Sequence, residues 1–304
     1  MGRDAALASP AARAVFEAAD AALGLPLSRL CFEGPEDELR RTEIQQPAIL
    51  ATSVALLRAL EERAPVAPAF VAGHSLGEYT ALVAVAALDF EDALRLVQAR
   101  GRFMQEAVPE GRGAMAAVMG CAPEVVAEAC QRAAAQTGRV VAPANYNGPG
   151  QTVISGDAAA VESACTRARE AGARRTLPLE VSAPFHCALM APAAEKLALE
   201  LSRVRFAAPR APVVANVTAA PCSDPAELPR LLERQVTAPV RFTEMIERMA
   251  RDGVTRVLEI GPGRVLSGLV ARIDRGIARG ALSTIGGLDE AAAFAASSDR
   301  PAAS

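Results

Sequence analysis

The segment Phe70-Val71-Ala72-Gly73-His74-Ser75-Leu76-Gly77-Glu78-Tyr79 constrains the fold more than any other in the chain. APAFVAG reads as an apolar strand, and LGEYTALVAVAAL, which follows at once, has helical spacing. Between them Ser75 stands in a G-x-S-x-G frame set by Gly73 and Gly77. A serine on such a sharp strand-to-helix turn needs neighbours without clashing Cβ atoms, which is the steric reason for the two glycines. Taken alone the five letters also fit an ordinary glycine-bounded turn.

The rest of the chain supplies the context. ARAVFEAADAALG and QQPAILATSVALLRALEERA are helical by period, and DFEDALRLVQARGRFMQEA is a third helix with acids in its first turn. From Gly113 the rhythm becomes strand AMAAVMG, helix PEVVAEACQRAAAQTG, strands VVAPANYN and QTVISG, helix AAAVESACTRAREAG and strand ARRTLPLEV. That β-α-β-β-α-β order predicts a small inserted domain at 113–179 of the split βαβ, or ferredoxin-like, kind. Helices and strands then alternate again through APAAEKLALELSRV, VVANVT, PAELPRLLERQV, FTEMIERMARDG, VTRVLEIG and GPGRVLSGLVARI. Residues 1–112 and 180–304 are therefore expected to form one α/β domain with a mostly parallel sheet. The Ala- and Ser-rich tail from Asp289 is expected to fray.

Composition narrows the function. With 51% hydrophobic and 22% charged residues, the 304-residue chain can bury a large core. Its net charge is −3 and its 32 Lys and Arg are scattered, which argues against nucleic acid as a partner. No uncharged apolar run reaches the ~18 residues of a membrane span. Cys31, Cys121, Cys130, Cys165, Cys187 and Cys222 are widely spaced, as in a protein of the reducing cytoplasm. Only His74 and His186 are histidines, so a metal centre is not expected.

Serine attacks only when a base takes its proton. His74 adjoins Ser75, and adjacent side chains diverge on such a turn, leaving His74 a packing or orienting role. His186, in EVSAPFHCALMAP, remains as the base, and the N–H of Leu76 can face an acyl oxyanion. Cys187 beside His186 is better read as a buried thiol than as a Cys-His pair. GPG at Gly261 to Gly263 is too short for a phosphate fingerprint and suits a turn beside the site.

GHSLGEYTALVA, RLVQARGRFMQEAVPEGRGAMAAV, NYNGPGQTVISG, PFHCALM and LEIGPGRVLSGL, in that order, resemble the malonyl-CoA:acyl carrier protein transacylase family of type II fatty acid synthesis. The resemblance implies an α/β-hydrolase-like domain with a ferredoxin-like insert, and a cytoplasmic enzyme using coenzyme A thioesters without a further cofactor. Malonyl-CoA and acyl carrier protein are the implied partners. Ser75 would be the nucleophile and His186 the base, oriented by the backbone carbonyl of Gln235 rather than by an acid. Arg100 would grip the malonyl carboxylate, a planar fork suiting a carboxylate; on composition alone it would pass for a solvated arginine. Phe185 would leave little room for an α-methyl group. Gln46 would line the pocket, and Asn145 and Asn147 match an asparagine loop, although capping and turn roles suit these three equally.

Family members also begin with a strand running into a GQGSQ-type segment that supplies a second oxyanion N–H. This chain opens at MGRD, which resembles the residues just downstream, so a start further upstream is expected. Three alternatives stay open: an acyltransferase of a polyketide pathway, a generic esterase sharing G-x-S-x-G, and a homologue that binds carrier protein without efficient catalysis.

Overall fold

The computed structural model describes residues 1–181 and 183–297. A helical layer comes first. α1 (Arg3–Ala8) and α2 (Pro10–Leu23) meet at Ser9, whose hydroxyl caps α2 by accepting from the Ala12 N–H at 3.0 Å. Short α3 (Leu27–Glu33) and α4 (Glu36–Leu39) lead into α5 (Thr42–Arg63), which is apolar around most of its circumference because other helices cover it. α2 packs against α5, and so do two later helices. These are α6 (Gly77–Ala84), reached from β1 (Val71–Ala72), and α7 (Phe90–Glu106), whose cap Asp89 accepts from the Glu91 and Asp92 N–H groups.

Next comes an antiparallel unit. β2 (Gly113–Met119), α8 (Pro123–Thr137), β3 (Val141–Gly148), β4 (Gln151–Asp157), α9 (Ala158–Glu170) and β5 (Arg175–Pro178) follow in sequence, and the strands lie in the order β3-β4-β2-β5. Both helices cover one face, burying Val118, Ile154, Val126 and Val161 between sheet and helices. The chain returns through α10 (Ala191–Leu201), β6 (Val213–Val214), β7 (Pro221–Cys222), α11 (Leu228–Thr237) and α12 (Phe242–Arg251). It closes with β8 (Arg256–Ile260), α13 (Val265–Ile273), β9 (Ala278–Leu282) and α14 (Leu288–Ala296).

The chain is a mixed α/β protein, but its sheet differs from the single one expected. β1 pairs in parallel with β6, which carries β7 antiparallel on its other side, while β8 and β9 form a separate parallel pair. Among the described residues no ladder joins β1 to β8. The helix expected through ALVAVAAL stops at Ala84, because Ala86 turns left-handed at φ 57°. Carbonyls of Val85 and Ala87 then accept from Arg210 and Ala207 N–H groups. The tail from Asp289 is helical through Ala296, held by Ala291 and Ala292 in the core; residues 298–304 lie outside the described residues. Neither the short β7 nor β9 was anticipated, since PC is too brief for a pattern and ARGAL carries a charge and a glycine.

Candidate active site

Ser75 sits between β1 and α6 with φ 52°, a left-handed conformation that a non-glycine residue holds only when its surroundings enforce it. They do so through Asn216, which follows β6. Its side-chain oxygen accepts from the Ser75 N–H at 2.7 Å, and its amide nitrogen donates to the Gly73 carbonyl at 2.6 Å. A Cβ on Gly73 would lie 2.0 Å from the Gly77 carbonyl group, so this glycine is a steric requirement. Gly77 is not: a Cβ there would meet nothing within 4 Å. The paired-glycine reading of the motif thus holds for one glycine only.

His186 also has a left-handed backbone, φ 58°, and is buried. Its Nε2 lies 2.8 Å from Ser75 Oγ and its Nδ1 lies 2.8 Å from the Gln235 carbonyl oxygen. A carbonyl only accepts, so Nδ1 carries the hydrogen and Nε2 offers a lone pair to the serine hydroxyl. Burial, then the positive charge of Arg100, pushes the imidazole pKa down to about 3. The ring is therefore neutral at physiological pH, the state a base must occupy.

Arg100 projects from α7 into the same space and is 2% exposed. One fork nitrogen, Nη1, donates to Gln46 Oε1 of α5 at 2.7 Å. The other, Nη2, donates to Ser75 Oγ and to Gln235 Oε1, both at 2.9 Å. Its guanidinium carbon is 5.7 Å from the centre of the Tyr79 ring. Every acceptor on this cation is neutral, an unusual state for a buried guanidinium. Leu76 N–H has no hydrogen-bond acceptor among the described residues, whereas the Ser75 N–H is committed to Asn216.

Five sequence-selected residues therefore converge on Ser75: His186, Gln235, Arg100, Gln46 and Leu76. Three stand further off. Phe185 is half-buried at the seam between the helical core and the open face of the antiparallel sheet. Asn145 is buried on β3 and bridges to Val240. Asn147 accepts from His74 Nε2 at 2.8 Å, and His74 stacks at a tilt on Phe242, so this asparagine ties the Ser75 turn to the antiparallel unit.

Sequence reasoning missed Asn216 and Glu78. Glu78 is 2% exposed and accepts through Oε2 from Gln235 Nε2 at 2.7 Å and from the Asn216 N–H at 3.1 Å. It lay inside the quoted motif, but an acid in the first turn of a helix normally faces water. Among the described residues no group of three His, Cys, Asp or Glu side chains is placed to hold a metal. No helix among them is long and apolar enough to cross a membrane.

The chain is similar in sequence and fold to known proteins. The acyl transferase domain family matches residues 1–280. Malonyl CoA-acyl carrier protein transacylase of Escherichia coli strain K12 is 48% identical over 270 residues, 89% of this chain and 87% of the relative. Its Bacillus subtilis strain 168 counterpart is 47% identical over 275 residues, 90% and 86% of the two chains. Among solved structures, an acyl carrier protein S-malonyltransferase of Vibrio cholerae superposes with a TM-score of 0.93 at 45% identity, covering 95% of this chain and 94% of the other. A malonyl-transacylase solved in complex with its type II PKS acyl-carrier protein superposes at 0.93 with 46% identity, covering 96% and 94%.

Proposed function

The chain belongs to the acyl transferase domain family, and from that membership we propose that it is an acyl-carrier-protein S-malonyltransferase. It moves malonyl from malonyl-CoA to the phosphopantetheine thiol of acyl carrier protein, in fatty acid biosynthesis. The observation that carries this reading is one oxygen with two partners: Ser75 Oγ lies 2.8 Å from a neutral imidazole nitrogen and 2.9 Å from a buried guanidinium. A hydrolase of neutral esters has no use for the second.

Ser75 Oγ attacks the thioester carbonyl as its proton passes to His186 Nε2, and the Leu76 N–H receives the oxyanion. Collapse breaks the C–S bond, and the imidazolium protonates the departing coenzyme A thiolate. The carrier thiol then gives its proton to His186 and attacks the acyl-serine, releasing malonyl thioester and restoring the Ser75 hydroxyl. Gln235 acts through its carbonyl, which holds the Nδ1–H tautomer throughout. Arg100, assisted by Gln46, takes the malonyl carboxylate in exchange for its neutral acceptors. Phe185, Asn145 and Asn147 shape the wall of the pocket. All the chemistry uses side chains, two backbone groups and the thioester itself, with no further cofactor. We assign residues 1–112 and 180–304 to an α/β-hydrolase-like unit and 113–179 to a ferredoxin-like insert, supported by the strand order β3-β4-β2-β5. The scattered cysteines support a cytoplasmic setting.

Mixing with malonyl-CoA should give a covalent malonyl adduct, read by intact mass and mapped to Ser75, and Ser75→Ala should give none. An adduct on the alanine variant would overturn the assignment. The similarity to the partner of a polyketide carrier favours a second reading, with the same chemistry and a different acceptor; transfer rates to the two carrier types separate them.

A further inference from the structure

Arg100 is a buried cation whose hydrogen-bond acceptors, Gln46, Gln235 and Ser75, are all uncharged. A charge so placed is costly unless an opposite charge is near. One carboxylate is within reach, one amide group away. Gln235 Nε2 donates to Glu78 Oε2 at 2.7 Å while Gln235 Oε1 accepts from Arg100 Nη2 at 2.9 Å. The amide cannot turn over without setting its NH2 against the guanidinium and its oxygen against two acceptors, Glu78 and the Ser75 carbonyl. Glu78, Gln235 and Arg100 thus form a polarised file of carboxylate, amide and guanidinium. Resting on the assignment of Arg100 as the malonyl grip, we propose that Glu78 is a specificity-determining positioning residue, the counter-charge of Arg100 in the empty site, and that it takes up a proton when a substrate carboxylate replaces it.

The linkage follows from the charge count. Two carboxylates cannot share one buried cation at no cost, and the one that can be neutralised without losing the substrate is Glu78. Burial already holds its pKa up to about 7, against the smaller lowering effects of Gln235, Asn216 and Arg100. Capture of the Arg100 charge by malonyl removes one of those and raises it further. The other titratable groups facing it are poor rivals for the proton. Tyr79 is raised beyond the physiological range, Cys222 is raised by burial, and His186 sits at about 3. An acetyl group brings no carboxylate and should move no proton.

Titration calorimetry of Ser75→Ala, which binds without acylation, tests this at pH 8 in two buffers of different ionisation heat. We expect about one proton taken up per malonyl-CoA bound and none per acetyl-CoA, the linkage of a single site. Adding Glu78→Gln should abolish the uptake and tighten malonyl-CoA by up to about tenfold, the effect of one pKa unit of lost competition. Equal uptake for the two thioesters, or uptake that survives Glu78→Gln, overturns the proposal. The unsubstituted enzyme gives a check independent of the folding of that variant: its malonyl-to-acetyl ratio of kcat/KM should fall as pH rises above 7, and a flat ratio overturns the proposal too. Failure of the grip itself has a different signature, malonyl-CoA affinity unchanged in Arg100→Ala.

Discussion

Glu78 and His186 are buried within one hydrogen-bonded cluster and are shifted in opposite directions for the same reason, because burial opposes whichever form is charged. The consequence for stability has a definite sign. Between the ordinary 4.5 and about 7 the folded chain holds the Glu78 proton that the unfolded chain has released. This contribution is therefore complete below about 4.5 and lost as pH rises through about 7. The difference amounts to roughly 3 kcal/mol at most. Glu78→Gln has no charge to bury, so its urea-unfolding stability relative to the unsubstituted chain should improve from pH 4.5 to pH 8. Parallel curves would mean that folding does not raise the Glu78 pKa. Both histidines act on the acid side in the two proteins alike and cancel from the comparison. Ser75 and His186 were legible as candidates because a motif frames the one and histidine is rare in this sequence, whereas Arg100 was legible only through the family resemblance. Glu78 and Asn216 were not, since burial of a polar side chain is decided by tertiary packing and leaves no local period.

At the scale of elements, the helices were legible and the strands only in part. α2, α5, α7, α8 and α9 run long enough to display a 3.6-residue period or a cap, whereas β1, β6 and β7 are two residues each. What no period announces is how closely two helices cross. Gly101 of α7 meets α5 so tightly that a Cβ would stand 2.6 Å from the Thr42 carbonyl oxygen and 2.8 Å from the Glu43 Cα. These contacts are backbone, which cannot rotate away. Arg100 and Gln46 face each other across the same crossing. Gly101→Ala should therefore push α7 off α5, costing about 1–3 kcal/mol of stability as an overpacked site does. It should also raise the malonyl-CoA KM more than it changes hydrolysis of a small neutral ester, which has no carboxylate for Arg100 to hold. Thermal unfolding and the two assays check this together; an unchanged melting temperature would show that the crossing yields.

The whole molecule joins an antiparallel unit to a helical one along a narrow seam. Tyr146 N–H donates to the Val240 carbonyl and Val240 N–H to the Ala144 carbonyl, both at 2.9 Å, so β3 extends its hydrogen bonding into the segment before α12. Arg272 of α13 reaches Gln151 at 2.6 Å. The third link, His74 to Asn147, runs to the residue beside Ser75. The β-α-β-β-α-β order of the antiparallel unit was visible in the sequence, but this seam was not, because β3 reads the same whether its edge meets solvent or another unit. If the seam aligns the Ser75 turn, cutting its inner link should loosen the docking without melting either part. Asn147→Ala leaves the half-buried His74 Nε2–H without its Asn147 acceptor, a loss on the order of 1 kcal/mol. Hydrogen exchange should then quicken at the Tyr146 and Val240 amides, while the amides between β2 and β4, paired inside the unit from Gly113 to Met119, keep their protection. Turnover should fall with the exchange change because, among the described residues, His74 carries the hydrogen bond that joins the Ser75 turn to the antiparallel unit. Quickened exchange throughout β2 and β4 would instead mean that Asn147 supports the folding of the unit, and that the seam carries no separate alignment of the site.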